Sequence, residues 1–214
     1  MDNEIELHFY DQVLPSYVNY IRAVDLAQSG GLRIMGPAKL LSEYLFHLRD
    51  RLEPNYPSRS FTRKIVAELY PDFNLIGDVA NALKHGQLTH KPDKLIKDVS
   101  SIQERLVWVH FRYANSRPYS YLQPRIMVKL ITGEYRDLLE VATGVLNFWC
   151  DYLFTNGYIK SMHRFLYTGD NVFTESQANA VRRPNVNVEV PMDYSFGVMN
   201  RVYNGNINKW QPYR

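Results

Sequence analysis

Asn81, Lys84 and His85 are the side chains of this chain whose types and spacing suit chemistry best. An imidazole exchanges a proton near neutral pH, while a lysine and an asparagine can hold a phosphate or an anionic intermediate. They belong to Asp72–Gly86, DFNLIGDVANALKHG. At about 100° per residue, Asp78, Asn81 and His85 share one helical face with Lys84 at its edge, and Leu75, Ile76, Val79 and Leu83 form an apolar stripe. Asn74 is the expected N-cap, and Gly86 the left-handed stop. A structural account exists beside the chemical one. Cations in a last turn complement the helix dipole, and an asparagine can satisfy buried backbone groups.

Two further sets are candidates for binding. Glu43, His47 and Arg51 step along one edge of a neighbouring apolar stripe at intervals of four. Hydrogen bonds across that edge are expected to join His47 and Arg51 to Asn81 and His85, with Asp78 part of the same strip. Arg117, Tyr119 and Tyr121 fall in Ala114–Pro124, read as a long loop, and are residue types that stack on unpaired bases or anchor protein interfaces.

The elements that must position these groups are mostly helical. Tyr10–Ser29 carries apolar residues at helical spacing before Gly30-Gly31. A second helix starts near Pro37, with Leu41, Tyr44, Leu45, Leu48 and Leu52 in one stripe up to Pro54. Ser60 is placed to cap a short helix through Leu69. After Gly86, QLTHKPDKLIKD reads as a polar connector outside the core. From Glu104, ERLVWVHFRY is rich in β-branched and aromatic residues and predicts a strand pairing with Arg125–Thr132. The longest amphipathic helix is expected over Glu134–Phe154, and IKSMHRFLY suggests one more short helix.

The predicted fold class is therefore mainly α: a helical bundle with a two-stranded antiparallel β-ribbon at about 104–132. No leucine follows Leu166, so a boundary is set near Thr168, dividing a helical domain, 1–168, from an extended C-terminal arm, 169–214. Val186, Val188 and Val190 predict one short strand in that arm, and its spaced aromatics predict docking in cis or on a second subunit.

With 214 residues, 45% of them hydrophobic, the chain can bury a real core. A net charge of +3 does not by itself imply nucleic acid, yet the clusters Arg59, Arg63, Lys64 and Lys84, Lys91, Lys94, Lys97 could attract phosphate. The single Cys150 excludes an internal disulfide and a multi-cysteine zinc site. His85 and His90 straddle a helix end, so no metal site is expected. Nucleotide-binding glycine loops and common hydrolase motifs are missing from the sequence, and no cofactor is expected. No apolar run approaches the roughly 20 residues that span a bilayer, so a cytoplasmic protein without membrane association is expected.

Asp78-Val79-Ala80-Asn81-Ala82-Leu83-Lys84-His85, a D-x-x-N-x-x-K-H pattern following two helices, resembles the all-α HEPN-type proteins over at most Tyr10–Phe154. The resemblance implies metal-independent RNA cleavage or nucleotide binding, with a role in defence against phage. That superfamily's arginine-to-histidine signature is met in spacing by Arg105 and His110, but on a strand those two would point to opposite faces.

Three functions follow as expectations. The first is a non-enzymatic interaction protein, self-associating or bound to a protein partner. The second is a HEPN-like ribonuclease or nucleotide binder, centred on Asn81, Lys84 and His85. The third is a small-ligand module in a cleft beside His47 and Arg51.

Overall fold

The computed structural model describes residues 3–27, 34–52, 61–86, 88, 94–111, 119–165, 201–204 and 209–212. These are mainly helical, with a small antiparallel sheet. The N-terminal helix begins earlier than the periodicity suggests. It runs as α1 (Asn3–His8), a π turn (Phe9–Val13) and α2 (Leu14–Ala27) without interruption. In the π turn the Leu14 N–H reaches back five residues to the Phe9 carbonyl. Pro15 follows directly and has no N–H, so the regular ladder must break nearby in any case. Phe9, Val13, Tyr17, Tyr20 and Val24 are all buried.

α3 (Met35–Leu52) contains Pro37 in its first turn, as expected, and buries Ala38, Leu41, Leu45, Leu48 and Leu52. α4 (Arg63–Leu69) is capped by Thr62, whose hydroxyl accepts the Ile65 N–H, and not by Ser60. α5 (Asp72–His85) starts two residues before the expected cap. Pro71 occupies the N-cap position there, and Asn74 lies within the helix, its Oδ1 taken by Arg63. Gly86 ends α5 with φ 73°, a conformation costly to residues with a Cβ.

The sheet has three strands where two were expected. β1 (Ile102–Phe111) pairs along its length with β2 (Tyr119–Lys129), and β3 (Tyr135–Asp137) adds to the far edge of β2. The third strand follows from the Leu130–Gly133 turn: Gly133 has φ 88°, and the Leu130 N–H bonds to the Glu134 carbonyl, returning the chain along β2. Tyr119 and Tyr121 thus lie on a strand, opposite Phe111 and Val109, and not in a loop. Their alternation with Ser120 and Leu122 suits the pleat.

α6 (Leu138–Thr155) begins at Asp137, whose Oδ1 accepts the Leu139 N–H at 2.8 Å. It is the core spine. Trp149 is fully buried and donates its indole N–H to the Leu45 carbonyl of α3 at 3.0 Å. Phe73 of α5 meets Trp149 edge-on. Cys150 is buried, and burial pushes its thiol up to about 12, which removes it as a nucleophile at neutral pH.

Of the short helix expected over IKSMHRFLY, 166–167 lie outside the described residues, and residues 159–165 are not helical. Asn147 holds their backbone instead, donating through Nδ2 to the Phe165 carbonyl and accepting the Phe165 N–H, each at 2.8 Å. The segment is fixed also by Tyr10 Oη, 2.9 Å from His163 Nε2. The expected strand at Val186–Val190 and the boundary near Thr168 lie outside the described residues; β4 (Arg201–Asn204) and β5 (Lys209–Pro212) form an antiparallel pair. Among the described residues no helix is long and apolar enough to cross a membrane.

Candidate functional site

The second half of α5 and the chain just beyond it form the candidate site. Asp78 is 1% exposed and fully engaged. Its Oδ1 accepts from Arg63 Nη2 at 2.8 Å, and its Oδ2 accepts the Leu95 N–H at 2.7 Å. Arg63 also donates Nε to Asn74 Oδ1 and Nη2 to the Asn74 carbonyl. Asp78 is thereby a structural junction between α4, α5 and residues 94–99, with no free oxygen for a ligand.

A second tie lies at the end of the helix, where the Val99 N–H bonds to the Gly86 carbonyl at 3.3 Å. Eight helical residues from Asp78 to Gly86 advance about 12 Å. Residues 95–99, with bends at Leu95 and Ile96, are tied to α5 at both ends and form a strap along its last two turns. Ile96 is fully buried beneath the strap, so this stretch contributes to the core, contrary to its polar composition. The Ile131 N–H bonds to the Leu95 carbonyl, tying the strap to the turn after β2 as well.

Lys84 and His85 are exposed in the last turn of α5, Asn81 is half-buried one turn earlier, and Lys97 is exposed on the strap. None of the four has a hydrogen bond or ion pair among the described residues. Lys94 is half-buried, and its Nζ lies out of water without a hydrogen-bond partner among the described residues. Asp98 is the carboxylate of the strap, and it caps the Val99–Ser101 turn by accepting the Ser100 N–H at 2.8 Å. Hydrogen bonds from the Ser100 hydroxyl and N–H, with the charge of Lys97 beside them, hold the Asp98 carboxyl below its usual range. Asp98 thus stands beside Lys97 while its carboxylate also holds Ser100.

His47 and Arg51 do not join these residues. His47 donates Nδ1 to Asp50 within α3, and Arg51 donates to Glu4 of α1 at 3.1 Å. Helices α3 and α5 meet instead through Phe46, whose ring closes over Gly77. No hydrogen bond among the described residues links His47 or Arg51 to Asn81, Lys84 or His85. Arg117 lies outside the described residues, and Tyr119 and Tyr121 fall on β2. Arg105 and His110 both fall on β1, so their spacing is carried by a strand.

Residues singled out singly in the sequence leave out Arg63, Tyr135 and Lys129, which the fold brings into play. The lysine cluster Lys84, Lys91, Lys94 and Lys97, of which Lys91 lies outside the described residues, is the feature of the sequence that pointed to this region. A second polar cluster lies deeper. Arg125 is 1% exposed and 3.6 Å from Asp137, the cap of α6. Tyr17 donates to Thr143 Oγ1, whose own proton goes to the Leu139 carbonyl. Burial drives the hydroxyl of Tyr20, in the field of Asp137 and Arg125, well above its ordinary value. This cluster is enclosed by the core and offers no surface to a partner.

Compared with protein-family models, curated proteins and solved structures, the chain gives no match.

Proposed function

We propose that the protein is a non-enzymatic interaction protein that binds RNA through the edge formed by α5 and its strap. One observation carries this reading: Lys84 and His85 at the end of α5 and Lys97 on the strap are exposed, and none has an ion pair among the described residues, the one carboxylate beside them being Asp98, next to Lys97. Exposed cations outside ion pairs gain most from a polyanion. A nucleic-acid backbone supplies regularly spaced phosphates, and lysine serves it as a mobile point charge. The last turn of α5 brings Lys84 and His85 to the surface, while the Asp78 junction fixes the strap carrying Lys97.

Fluorescence anisotropy with labelled single-stranded and duplex RNA tests the reading. Binding should weaken steeply with salt, and the Lys84→Ala, Lys97→Ala double variant should lower the salt slope by about two. Salt-independent binding, or an unchanged slope in the double variant, rejects it. The same incubations report on the HEPN-like alternative. Metal-independent cutting that His85→Ala abolishes would make the edge a catalytic one, with His85 as the proton-transfer group and Asn81 and Lys84 holding the anionic intermediate.

A further inference from the structure

The antiparallel register places a second cationic group close to the strap. Arg105 on β1 lies two positions beyond Gln103, and Lys129 on β2 lies opposite Tyr135 on β3. The Arg105 guanidinium is held from two sides. Its Nε and Nη2 donate to Gln103 Oε1 at 3.0 and 2.6 Å, and Nη2 also donates to Tyr135 Oη at 2.7 Å. Its central carbon lies 4.1 Å from the centre of the Tyr135 ring. Lys129 Nζ lies 5.9 Å from the same centre.

Two cations thus share one tyrosine ring, and neither has an ion pair with a described carboxylate. Ring contact offsets part of their repulsion but supplies no negative charge. Nη1 of Arg105 makes no hydrogen bond among the described residues, in a guanidinium held by Gln103 and Tyr135. Arg105 and Tyr135 are both half-buried, with part of each surface in water, and Lys129 is exposed. Gln103 continues the set toward the strap, since its Nε2 donates to the Ser100 carbonyl at 3.0 Å.

We infer that Arg105, Lys129 and Tyr135 form a nucleotide subsite for single-stranded nucleic acid. A backbone phosphate sits between Arg105 Nη1 and Lys129 Nζ, and an unpaired base stacks on the guanidinium backed by the Tyr135 ring. Stacking of this kind requires a base free of its duplex neighbours, which selects single strands. The inference rests on the RNA-binding reading and extends it by naming the form of nucleic acid recognised. The strap edge supplies sequence-independent attraction, and the Arg105–Tyr135 stack supplies the preference for unpaired bases.

The test uses the full chain with fluorescein-labelled single-stranded RNA, single-stranded DNA and duplex RNA of one length. Wild type should bind both single strands at least about tenfold more tightly than the duplex. Arg105→Gln and Tyr135→Leu should each weaken single-strand binding about tenfold while changing duplex binding less than about twofold. Lys129→Gln, at an exposed position, should lower the salt slope by about one without altering circular dichroism or thermal unfolding. Tyr135→Phe keeps the ring, removes the hydroxyl that holds Arg105 and should give an intermediate loss. Equal single-strand and duplex affinity, with Arg105→Gln, Tyr135→Leu and Lys129→Gln all silent, overturns the subsite. The strap reading survives that outcome if Lys84→Ala, Lys97→Ala still reduces binding. A preference for RNA over DNA single strands would identify the source of the strand.

Discussion

Asp78 and Leu95 are joined by a 2.7 Å hydrogen bond from a backbone N–H to a carboxylate that is 1% exposed, 17 residues away. The same carboxylate holds Arg63, so one side chain fixes α4 and the strap against α5. Asp78→Asn leaves one acceptor oxygen, and its new NH₂ group faces either the Arg63 guanidinium or the Leu95 N–H. The expected loss is about 1.5–3 kcal/mol in urea unfolding. Hydrogen exchange at Leu95 should accelerate as well. Unchanged protection at Leu95 would show that the strap is held by other bonds.

Gly77 is where α5 passes closest to α3. A Cβ at Gly77 would come within 2.5 Å of Phe46 Cε2. Alanine favours a helix over glycine by about 1 kcal/mol, so propensity alone predicts a gain. Phe46 cannot yield easily, because it stacks on Phe73 and carries the Arg49 guanidinium 4.2 Å from its ring centre. Overpacking should win, and Gly77→Ala should lose about 1–2 kcal/mol net. Combining it with Phe46→Leu should cost less than the sum of the two single changes.

Glu104 titrates in the opposite sense from a stabilising carboxylate. Burial raises its folded pKa above 4.5, and its Oε1 has no hydrogen-bond partner among the described residues. The folded protein therefore holds this proton more tightly than the unfolded chain does. Its contribution to stability is greatest below pH 4.5 and falls as pH rises through the folded pKa. Glu104→Gln should raise the unfolding midpoint at pH 7 and have little effect near pH 4. A variant less stable than wild type at pH 7 would mean that the ionised carboxylate is stabilising.

Asn147 completes the backbone of Phe165 through one donor and one acceptor. Asn147→Ala removes both bonds from a half-buried site and should cost about 1–3 kcal/mol. Asn147→Asp keeps the acceptor for the Phe165 N–H but sets a carboxylate beside the Phe165 carbonyl. It should restore little of the loss in thermal unfolding. Full recovery by aspartate would place the whole effect on the Phe165 N–H.

Element types were legible wherever a stripe met a stop. The Leu41–Leu52 stripe before Pro54, the Gly86 terminus and the β-branched run of β1 all carry their structure locally. What was not legible depends on partners distant in sequence. Asn74 looks like a cap until Arg63 takes its side chain, and 159–165 looks helical until Asn147 satisfies Phe165. β3 is only three residues long, too short for a period-two pattern. At the candidate site, the polar strip of α5 was visible from spacing, but its division was not. Asp78 turns inward to Arg63 and Leu95, whereas Lys84 and His85 stay at the surface. The link from His47 and Arg51 to this strip failed because each finds a nearer acid, Asp50 or Glu4.

The π turn at Phe9–Val13 has a consequence for how this chain can vary in length. A π turn accommodates one residue more than an α-helix needs over the same rise, so α1 and α2 both keep their buried faces while the residues between are shifted in phase. Deleting a single residue between Phe9 and Leu14 should therefore remove the extra residue of the π turn, with Ile5 and Tyr17 still facing the core and only the break that Pro15 imposes remaining. The deletion should spare stability yet disturb the Tyr10–His163 contact, because Tyr10 lies within the shifted turn. In an alignment, a one-residue gap at this point would mark the loss of that contact and leave the helical frame intact.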